Sequence, residues 1–593
     1  MSRAPIRPTE AAITAAALGI IAGLGELAFF GLRKFGLGLF LFQPLDTLWL
    51  TPLANAVLFA LLALLWLTIR RLFGRVTAQA ELVGLGAGLA TLDLLLLLPP
   101  LHQGASLLIA IGVGVQTARL RLSNNARVPR RGRRLVAVMA VLLTVTAGAI
   151  QLVPSLRERR AIAGLPAGAG GPNVLIVILD TVRAMSLSAF GYERPTSPNL
   201  ERWAARGVRF TMAQSTAPWT LPSHGSLFTG REAHQLSTDW YVPLDEQDPT
   251  LAEVLARHGY LTAGFVANLP YTNREVGLAR GFQRYEDWRV SFRQLLVSSM
   301  LVRAVTTNER LRELVGTKEL IVRKKAPEVN RRFLRWLDRR PARPFFAFLN
   351  YYDAHTPFVP PEPYRSRFAP PGAPFHSDLP LRDEDVPWDP RLIEGARNAY
   401  DGAIAALDAS IGDLFDALDQ RRLLDSTIVI LTSDHGEEFA EHGLFSHGNS
   451  LYLPSLHVPL IVWQPGGPAG TAIGTPVSIR DVPATVIDLA GLGELERMPG
   501  RSLRRYWTGD STPTEPLFTE VRHAPKLPAW YPSTKGDLLG AQEGWLRLIR
   551  NGDGAIEVYD IARDPLEQHD LAGDSTLAAP IQRLRRLVDE ARR

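Results

Sequence analysis

Asp180, the Asp434-His435 pair and Thr220 are the residues in this sequence whose types and positions combine metal binding with nucleophilic attack. Asp180 ends the branched apolar run Val174–Leu179, and Asp434-His435 comes just after the run Ser426–Leu431. Continuous apolar runs of this length read as strands buried on both faces of a largely parallel sheet. Ligands gather beyond the carboxyl ends of such strands, so residues far apart in the chain meet at one edge of the sheet. Two carboxylates and an imidazole form a mixed oxygen and nitrogen set for one divalent cation. That set suits Mn²⁺ or Zn²⁺ better than Ca²⁺, with Mg²⁺ also admissible. A single Asp at a strand end more often caps the next helix, so its company carries the assignment.

That company is the segment Trp219-Thr220-Leu221-Pro222-Ser223-His224-Gly225-Ser226-Leu227-Phe228-Thr229-Gly230-Arg231. It resembles the sulfatase signature, in which Cys or Ser, any residue, Pro, Ser and Arg are followed by a Leu-x-Thr-Gly-Arg ending. Pro222, Ser223, Leu227, Thr229, Gly230 and Arg231 match, and the resemblance implies a substrate-side role for Arg231. Two positions depart from the pattern. Thr220 stands where the nucleophile belongs, and His224 replaces the first Arg. The chain has no Cys at all, and formylglycine is made from Cys or Ser, so the sulfatase aldehyde hydrate is not expected here.

A threonine oxygen can serve instead. Thr is a weak nucleophile at its free pKa, but a metal lowers that pKa, and a helix amino terminus favours both the anion and an incoming phosphate or sulfate. The layout is similar to that of lipoteichoic acid synthases and phosphoethanolamine transferases, relatives that place Thr on the metal and an external catalytic domain after five membrane spans. The resemblance implies Asp180, Thr220, Asp434 and His435 as metal ligands and Thr220 as catalytic nucleophile.

It extends downstream. Asn350-Tyr351-Tyr352-Asp353-Ala354-His355-Thr356-Pro357 resembles the family segment whose His contacts substrate, which points to His355. Ser446-His447-Gly448 with Leu451-Tyr452 resembles the late segment supplying a second substrate-side group, which points to His447. An imidazole near neutral pH can hold transferring oxygens or protonate a leaving oxygen. His224, His442 and His457 have no such context and read as ordinary core or surface residues.

The elements that must position these groups are strands at Val174–Leu179, Leu261–Val266, Pro344–Leu349 and Ser426–Leu431, alternating with helices. Ser197 before Pro198 reads as a helix cap, and Thr250-x-x-Glu253 as a capping box. Alternating strands and helices argue for an α/β sandwich. The expected fold is therefore an N-terminal α-helical transmembrane domain followed by a C-terminal α/β, alkaline-phosphatase-like domain with a mostly parallel central sheet. Residues 1–155 form the first, 156–172 a linker rich in Ala, Gly and Pro, and 173–593 the second, with a smaller subdomain from about 500.

Apolar runs long enough to span a bilayer, roughly 20 residues, occur at Ala11–Leu32, Leu48–Ile69, Leu82–Leu98, Ala105–Ala118 and Leu135–Val153. The fourth is short, and Pro99-Pro100 before it leaves a partial hairpin open. Up to Arg160 there are 17 basic and 6 acidic residues, and beyond it 48 and 53. The overall net charge of +6 thus comes from the membrane segment, and the globular part lacks the basic footprint of a nucleic-acid binder. Arg70, Arg71 and Arg75 follow the second span, and seven Arg residues from Arg119 to Arg134 precede the fifth. Both loops read as cytoplasmic, which places the large domain outside. Glu26 and Asp93 lie inside apolar runs, where ionisable groups are costly; pairing with another helix is the bland account.

The function expected from these readings is that of an enzyme in a bacterial inner membrane, multi-pass, with its catalytic domain extracytoplasmic and lipid bilayer and envelope ester as its partners. Thr220 attacks a phosphoester or phospho-headgroup of an envelope lipid or glycan, and water or an acceptor alcohol then resolves the covalent ester. A sulfuric ester hydrolase is the alternative, and a non-catalytic membrane sensor the third reading.

Overall fold

The computed structural model describes residues 6–592 apart from 40, 42, 75–78, 99–100, 123–129, 168–169, 289, 309–322, 374, 379–387 and 511–513. Arg3, Arg75, Arg127 and the Pro99-Pro100 break therefore lie outside the described residues. Two compact units emerge. One comprises Met1–Arg159 with Trp288–Val322, the other Arg160–Asp287 with Arg323–Arg593. The division thus departs from a single cut near residue 160, because an excursion from the middle of the second unit groups with the N-terminal helices.

Five helices make up the N-terminal part: α1 (Pro8–Gly31), α2 (Thr47–Leu72), α3 (Gln79–Leu95), α4 (Gln103–Leu122) and α5 (Arg130–Ala163). Among the described residues, three stretches, Pro8–Gly36, Thr47–Leu72 and Val136–Ala163, are long and apolar enough to cross a membrane. Helix α1 packs on α2 and α3, and α3 on α4. Close approach of α1 and α2 needs glycine, since a Cβ on Gly19 would lie 2.3 Å from the Asn55 carbonyl oxygen and one on Gly23 would lie 2.5 Å from Pro52 Cα. Small residues at such crossings let helices pack by contact where no hydrophobic driving force separates them from lipid. Glu26 and Asp93 face inward, 1% and 0% exposed, and the Asn55 amide donates to Glu26 Oε1 and, at 3.4 Å, to Asp93 Oδ2.

The second unit is built on a nine-stranded sheet. Its strands include β1 (Asn173–Leu179), β2 (Val208–Gln214), β3 (Leu261–Val266), β4 (Arg284–Glu286), β5 (Phe345–Tyr351) and β6 (Thr427–Thr432). Strands β6, β1, β5, β3 and β4 are adjacent in that order and parallel. His457–Trp463 runs antiparallel between β6 and β2. Every residue of β1, β3, β5 and β6 is buried, which is why these strands read as unbroken apolar runs instead of alternating ones. On one face Leu175, Val177 and Leu179 pack in a core with Phe333, Trp336, Ile404 and Ile411. On the other, Phe348 of β5 meets Phe228 of the helix Thr220–Thr229 edge to face, with ring centroids 4.9 Å apart.

Thr250 and Glu253 form the expected capping box, with Thr250 Oγ1 accepting from the Glu253 N–H at 3.2 Å and Glu253 Oε2 from the Thr250 N–H at 2.8 Å. Ser197 differs from expectation. It precedes Pro198–Ala204, but its hydroxyl accepts from the Ala189 N–H at 3.0 Å and makes no cap bond.

Four antiparallel strands, Leu517–Val521, Leu538–Glu543, Leu546–Arg550 and Ile556–Asp560, form a second sheet. The helix Ala578–Ala591 covers it, placing Ile581, Leu584 and Val588 on Leu539, Ala541, Leu548 and Val558. Within it Arg547, 0% exposed, bonds the Glu567 carboxylate and the Leu451 carbonyl, and Glu567 Oε2 accepts from the Leu453 N–H at 2.6 Å. This buried pair holds the loop that follows His447. Removing one partner of such a pair leaves an uncompensated charge, so Arg547→Ala is expected to destabilise the catalytic unit by about 3–5 kcal/mol. Urea unfolding followed by tryptophan fluorescence checks this, and an unchanged midpoint would contradict it.

Candidate metal and nucleophile site

The carboxyl ends of β1, β5, β6 and β3 converge on one buried point. Asp180 follows β1, and its N–H donates to the Tyr351 carbonyl at the end of β5 at 3.0 Å. The next residue, Thr181, has φ of 61°, a left-handed conformation that a β-branched residue adopts only when its surroundings impose it. They do so here. The Thr181 N–H donates to Asp434 Oδ1 at 3.2 Å, its hydroxyl to the Ala354 carbonyl at 3.2 Å, and its own carbonyl accepts from the Tyr400 hydroxyl at 2.7 Å. Ser433 ties the ends of β6 and β1 by donating to the Leu179 carbonyl at 2.5 Å and accepting from the Val182 N–H at 3.1 Å. Strain at the turn is thereby offset by bonds that aim Asp180 and Asp434 at each other.

Thr220 is the first residue of the helix Thr220–Thr229, all ten of whose residues are buried. The motif's Ser223 explains how that helix is held. Its hydroxyl donates to the Asp434 carbonyl at 2.6 Å and receives a bond from Ser215 at 3.0 Å. Thr220 Oγ1 consequently lies 3.3 Å from His435 Nε2. Gly230 ends the helix at φ of 76°, where a Cβ would lie 2.2 Å from the Pro499 carbonyl oxygen, so the glycine of the motif has a steric reason.

Ligand atoms of Asp180, Asp434 and His435 all lie within 4.8 Å of one another. Asp180 Oδ1 and Asp434 Oδ2 are buried and have no hydrogen-bond partner. Burial and, after it, the negative charge of Asp434 push the Asp180 carboxyl well above its usual range. Burial holds the His435 imidazole below its ordinary value, which keeps it neutral and able to ligate. Unpaired buried carboxylate oxygens are costly, and a divalent cation removes that cost by taking both as ligands. The residues present therefore fit the metal that the chemistry calls for.

Two asparagines complete the frame. Asn268 Nδ2 donates to Asp180 Oδ2 at 2.8 Å and to Thr220 Oγ1 at 3.3 Å, and Asn350 Nδ2 donates to Asp180 Oδ2 at 3.1 Å. Sequence reasoning missed both as site residues. A signal existed, since Asn350 lies in β5 one residue before its carboxyl end and Asn268 lies two residues beyond that of β3.

His447 and His355 stand beside this frame. The His447 ring lies 4.4 Å from that of His435 and 5.1 Å from that of His355. His447 Nδ1 is 3.0 Å from Glu437 Oε1. Burial pushes His447 down to about 4 and Glu437 up to about 8, so at neutral pH the pair shares a single proton. His355 Nδ1 donates to the Thr356 carbonyl at 2.7 Å, and burial with the adjacent His447 holds its pKa far below the ordinary value. Trp219 packs on His447 at 5.3 Å and on Trp240 and Tyr271 at 4.2 and 5.0 Å, forming an aromatic wall next to Thr220.

Two sequence-based expectations change. Arg231 lies beyond the far end of the ten-residue helix, about 15 Å along its axis, and its guanidinium pairs with Asp248 at 2.8 Å. It is separate from the group. His224, read as an ordinary residue, is fully buried, with Nδ1 2.8 Å from the Thr220 carbonyl and 3.7 Å from Asp434 Oδ2. Burial outweighs the Asp434 charge and lowers its pKa. His442 and His457 lie elsewhere, bonded to the Leu566 and Thr211 carbonyls.

A hydroxyl at a helix start facing a buried Asp, Asp and His set on a mostly parallel sheet places the chain among the alkaline-phosphatase-like hydrolases. The sulfatase profile matches residues 172–492, more than half of the sequence, and the chain belongs to the sulfatase family. Human arylsulfatase K is 27% identical over 465 residues, covering 71% of this chain and 82% of that protein. The choline-sulfatase of Rhizobium meliloti is 24% identical over 439 residues, covering 68% and 83%. The phosphonate monoester hydrolase of Agrobacterium radiobacter shares the fold with a TM-score of 0.55 at 23% identity, over 71% of this chain and 95% of that one.

Asp434→Asn and His435→Ala each remove a candidate ligand and are expected to strip bound divalent metal from the purified protein. Asn268→Ala removes the hydrogen bonds to Asp180 and Thr220 and is expected to weaken affinity by about 10–100-fold. Elemental analysis after dialysis, with metal titration of the Asn268 variant, measures both; full occupancy in the two ligand variants would place the metal elsewhere.

Proposed function

We propose that this chain is a membrane-anchored, metal-dependent member of the family that acts on phosphoester or phospho-headgroup substrates of the cell envelope through a covalent ester on Thr220. The observation that carries this reading is the Thr220 oxygen, 3.3 Å from both His435 Nε2 and Asn268 Nδ2 in a chain with no cysteine. A bound Mn²⁺, Zn²⁺ or Mg²⁺ held by Asp180, Thr220, Asp434 and His435 would lower the Thr220 pKa and neutralise the two carboxylates.

Asn268 orients the hydroxyl oxygen, and that oxygen, having released its proton to solvent, attacks phosphorus in line. The new bond to Thr220 Oγ1 forms as the bond to the leaving oxygen breaks. His447 supplies a proton to that leaving oxygen from Nε2 while the Glu437 proton passes to Nδ1, so the pair ends with one proton fewer. His355 holds a non-bridging oxygen. Water or an acceptor alcohol, deprotonated by the same pair, then displaces Thr220 and restores it, with net retention. The aromatic wall of Trp219, Trp240 and Tyr271 offers a face for a sugar ring or acyl-linked headgroup.

A second reading, sulfate-ester hydrolysis, is favoured by the similarity to arylsulfatase K and choline-sulfatase. It would have to proceed by direct attack of Thr220, without formylglycine. Incubating the full-length protein with envelope lipids and mapping Thr220 by mass spectrometry separates the two. A phosphorus-containing adduct supports the first reading, and a sulfo adduct, or aryl sulfates cleaved faster than aryl phosphate diesters, overturns it. Thr220→Ala is expected to abolish turnover at a stability cost of only about 1 kcal/mol, and Thr220→Ser to retain part of it.

The proposed topology, a multi-pass bacterial inner-membrane protein with the catalytic unit outside the cytoplasm, rests on the Arg-rich loops. A reporter active only outside the cytoplasm is expected to be active when fused after Arg160 and silent after Arg131. The reverse pattern would invert the topology.

A further inference from the structure

The two residues after Pro222 hold Asp434 in two ways. The Ser223 hydroxyl donates to its backbone carbonyl at 2.6 Å, and the His224 ring faces its carboxylate, with Nδ1 3.7 Å from Oδ2. That oxygen is buried and has no hydrogen-bond partner. The same Nδ1 lies 2.8 Å from the Thr220 carbonyl. A carbonyl only accepts, so Nδ1 carries the proton and donates it. An α-helix already directs the His224 backbone N–H to the carbonyl four residues earlier, which is that of Thr220. Backbone and side chain of one residue thus serve the two lone pairs of this carbonyl, and the first turn of the helix Thr220–Thr229 is fixed at the residue that bears the hydroxyl.

The other side of the ring is apolar. His224 is 0% exposed, its Nε2 has no hydrogen-bond partner, and its ring meets Phe348 edge to face with centroids 5.8 Å apart. Phe348 stands in β5 two residues before Asn350, whose amide donates to Asp180 Oδ2 at 3.1 Å. A protonated ring would need an acceptor at Nε2 and has none, so the ring is neutral. His224 is therefore a single-proton donor aimed between Thr220 and Asp434, at the position where the sulfatase signature has an arginine. A guanidinium there would bring five donors and a full charge. Its charge would pair with Asp434 Oδ2, the oxygen left open for a cation. Asp180 and Asp434 together carry two negative charges, which match one divalent cation, and a neutral donor leaves that match intact.

We propose that His224 is a positioning residue: a neutral donor that holds Thr220 against Asp434 and leaves both carboxylate charges to the cation. The inference rests on the reading of Asp180, Thr220, Asp434 and His435 as the ligands of one metal ion. It assigns the second departure from the signature a task of its own, set by the first, because a threonine hydroxyl bound to the cation needs its backbone held where a guanidinium would compete for the same carboxylate.

The test titrates the full-length protein in lipid nanodiscs with Zn²⁺ and with Mn²⁺, taking Asp434→Asn as the reference for loss of the site. His224→Phe keeps a buried ring without a donor, and His224→Gln keeps a neutral N–H. The first is expected to weaken binding by about 10-fold, with the second between it and the wild type. His224→Arg is expected to weaken binding more, since it sets a positive charge beside the cation. Melting temperatures show which variants fold, and an unfolded His224→Arg leaves the decision to the Phe and Gln pair. In a Thr220→Ala background His224→Phe is expected to cost less, because the donor then has only Asp434 to hold. Equal costs in the two backgrounds mean that the ring merely packs, and overturn the inference. Unchanged affinity in His224→Phe, a Gln variant as weak as the Phe variant, or a wild-type protein that binds neither ion also overturns it. Wild-type affinity in a folded His224→Arg overturns the charge argument. If the affinities follow the expected order but the wild-type protein turns over neither aryl phosphate diesters nor aryl sulfates, the functional reading fails while the positioning role stands.

Discussion

Asp180 and Asp434 point their charge into the same closed space, and much of the catalytic unit follows from keeping them there. Two carboxylates with partnerless oxygens in a protein interior repel each other and lack water. Their positions persist because Thr181 is forced into a left-handed turn, because Ser433 ties two strand ends together, and because Asn268 and Asn350 both donate to Asp180 Oδ2. The parallel strands β6, β1, β5 and β3 are what bring these four supports within reach. A site of this kind is assembled from strand ends and held by neutral amides, so its charge remains available for a cation instead of being spent on an internal salt bridge.

Thr220 is governed by the same geometry. Ser223 links the helix of Thr220 to the carbonyl of Asp434, so the hydroxyl and the carboxylate are held on one tied frame. A threonine in that place gives up the hydrated aldehyde that a cysteine or serine would provide. It also replaces the guanidinium of the signature by His224, a neutral ring bonded to the Thr220 carbonyl. Phosphorus accepts attack by a simple alkoxide and release by a second displacement, whereas the aldehyde hydrate offers a sulfatase a route that leaves sulfur untouched in the second step. The two departures from the signature are thus mutually consistent.

The legible part of the fold was the part that is buried on both sides. β1, β3, β5 and β6 announce themselves as apolar runs, and Asp180, Asp434 and His435 are visible because a strand must end before a side chain can face the ligand. Asn268 and Asn350 were hidden, since an amide at a strand end is also an ordinary turn residue. Arg231 matches the motif, but the helix axis carries it away from Thr220 to a pairing with Asp248. His224 was underread, because a lone histidine has no periodicity to betray its neighbours. The excursion Trp288–Val322 has no strong apolar run and gave no reason to be grouped with the N-terminal helices. Its partners, Glu26 and Asp93, were noticed only as costs.

The Arg547–Glu567 pair has a consequence in time as well as in space. The strands that lead to Asp180, Asp434 and His435 are complete once the chain has passed β6, and the last strand of that sheet is Val477–Ser478. The loop after His447 is fastened by groups contributed about a hundred residues later, at Arg547 and Glu567. The segment that carries Asp180, Thr220, Asp434 and His435 thus ends well before the residues that fasten the His447 loop. The carboxyl-terminal sheet therefore supplies no candidate ligand of its own, yet it is what fixes the His447 loop beside Asp180, Thr220, Asp434 and His435.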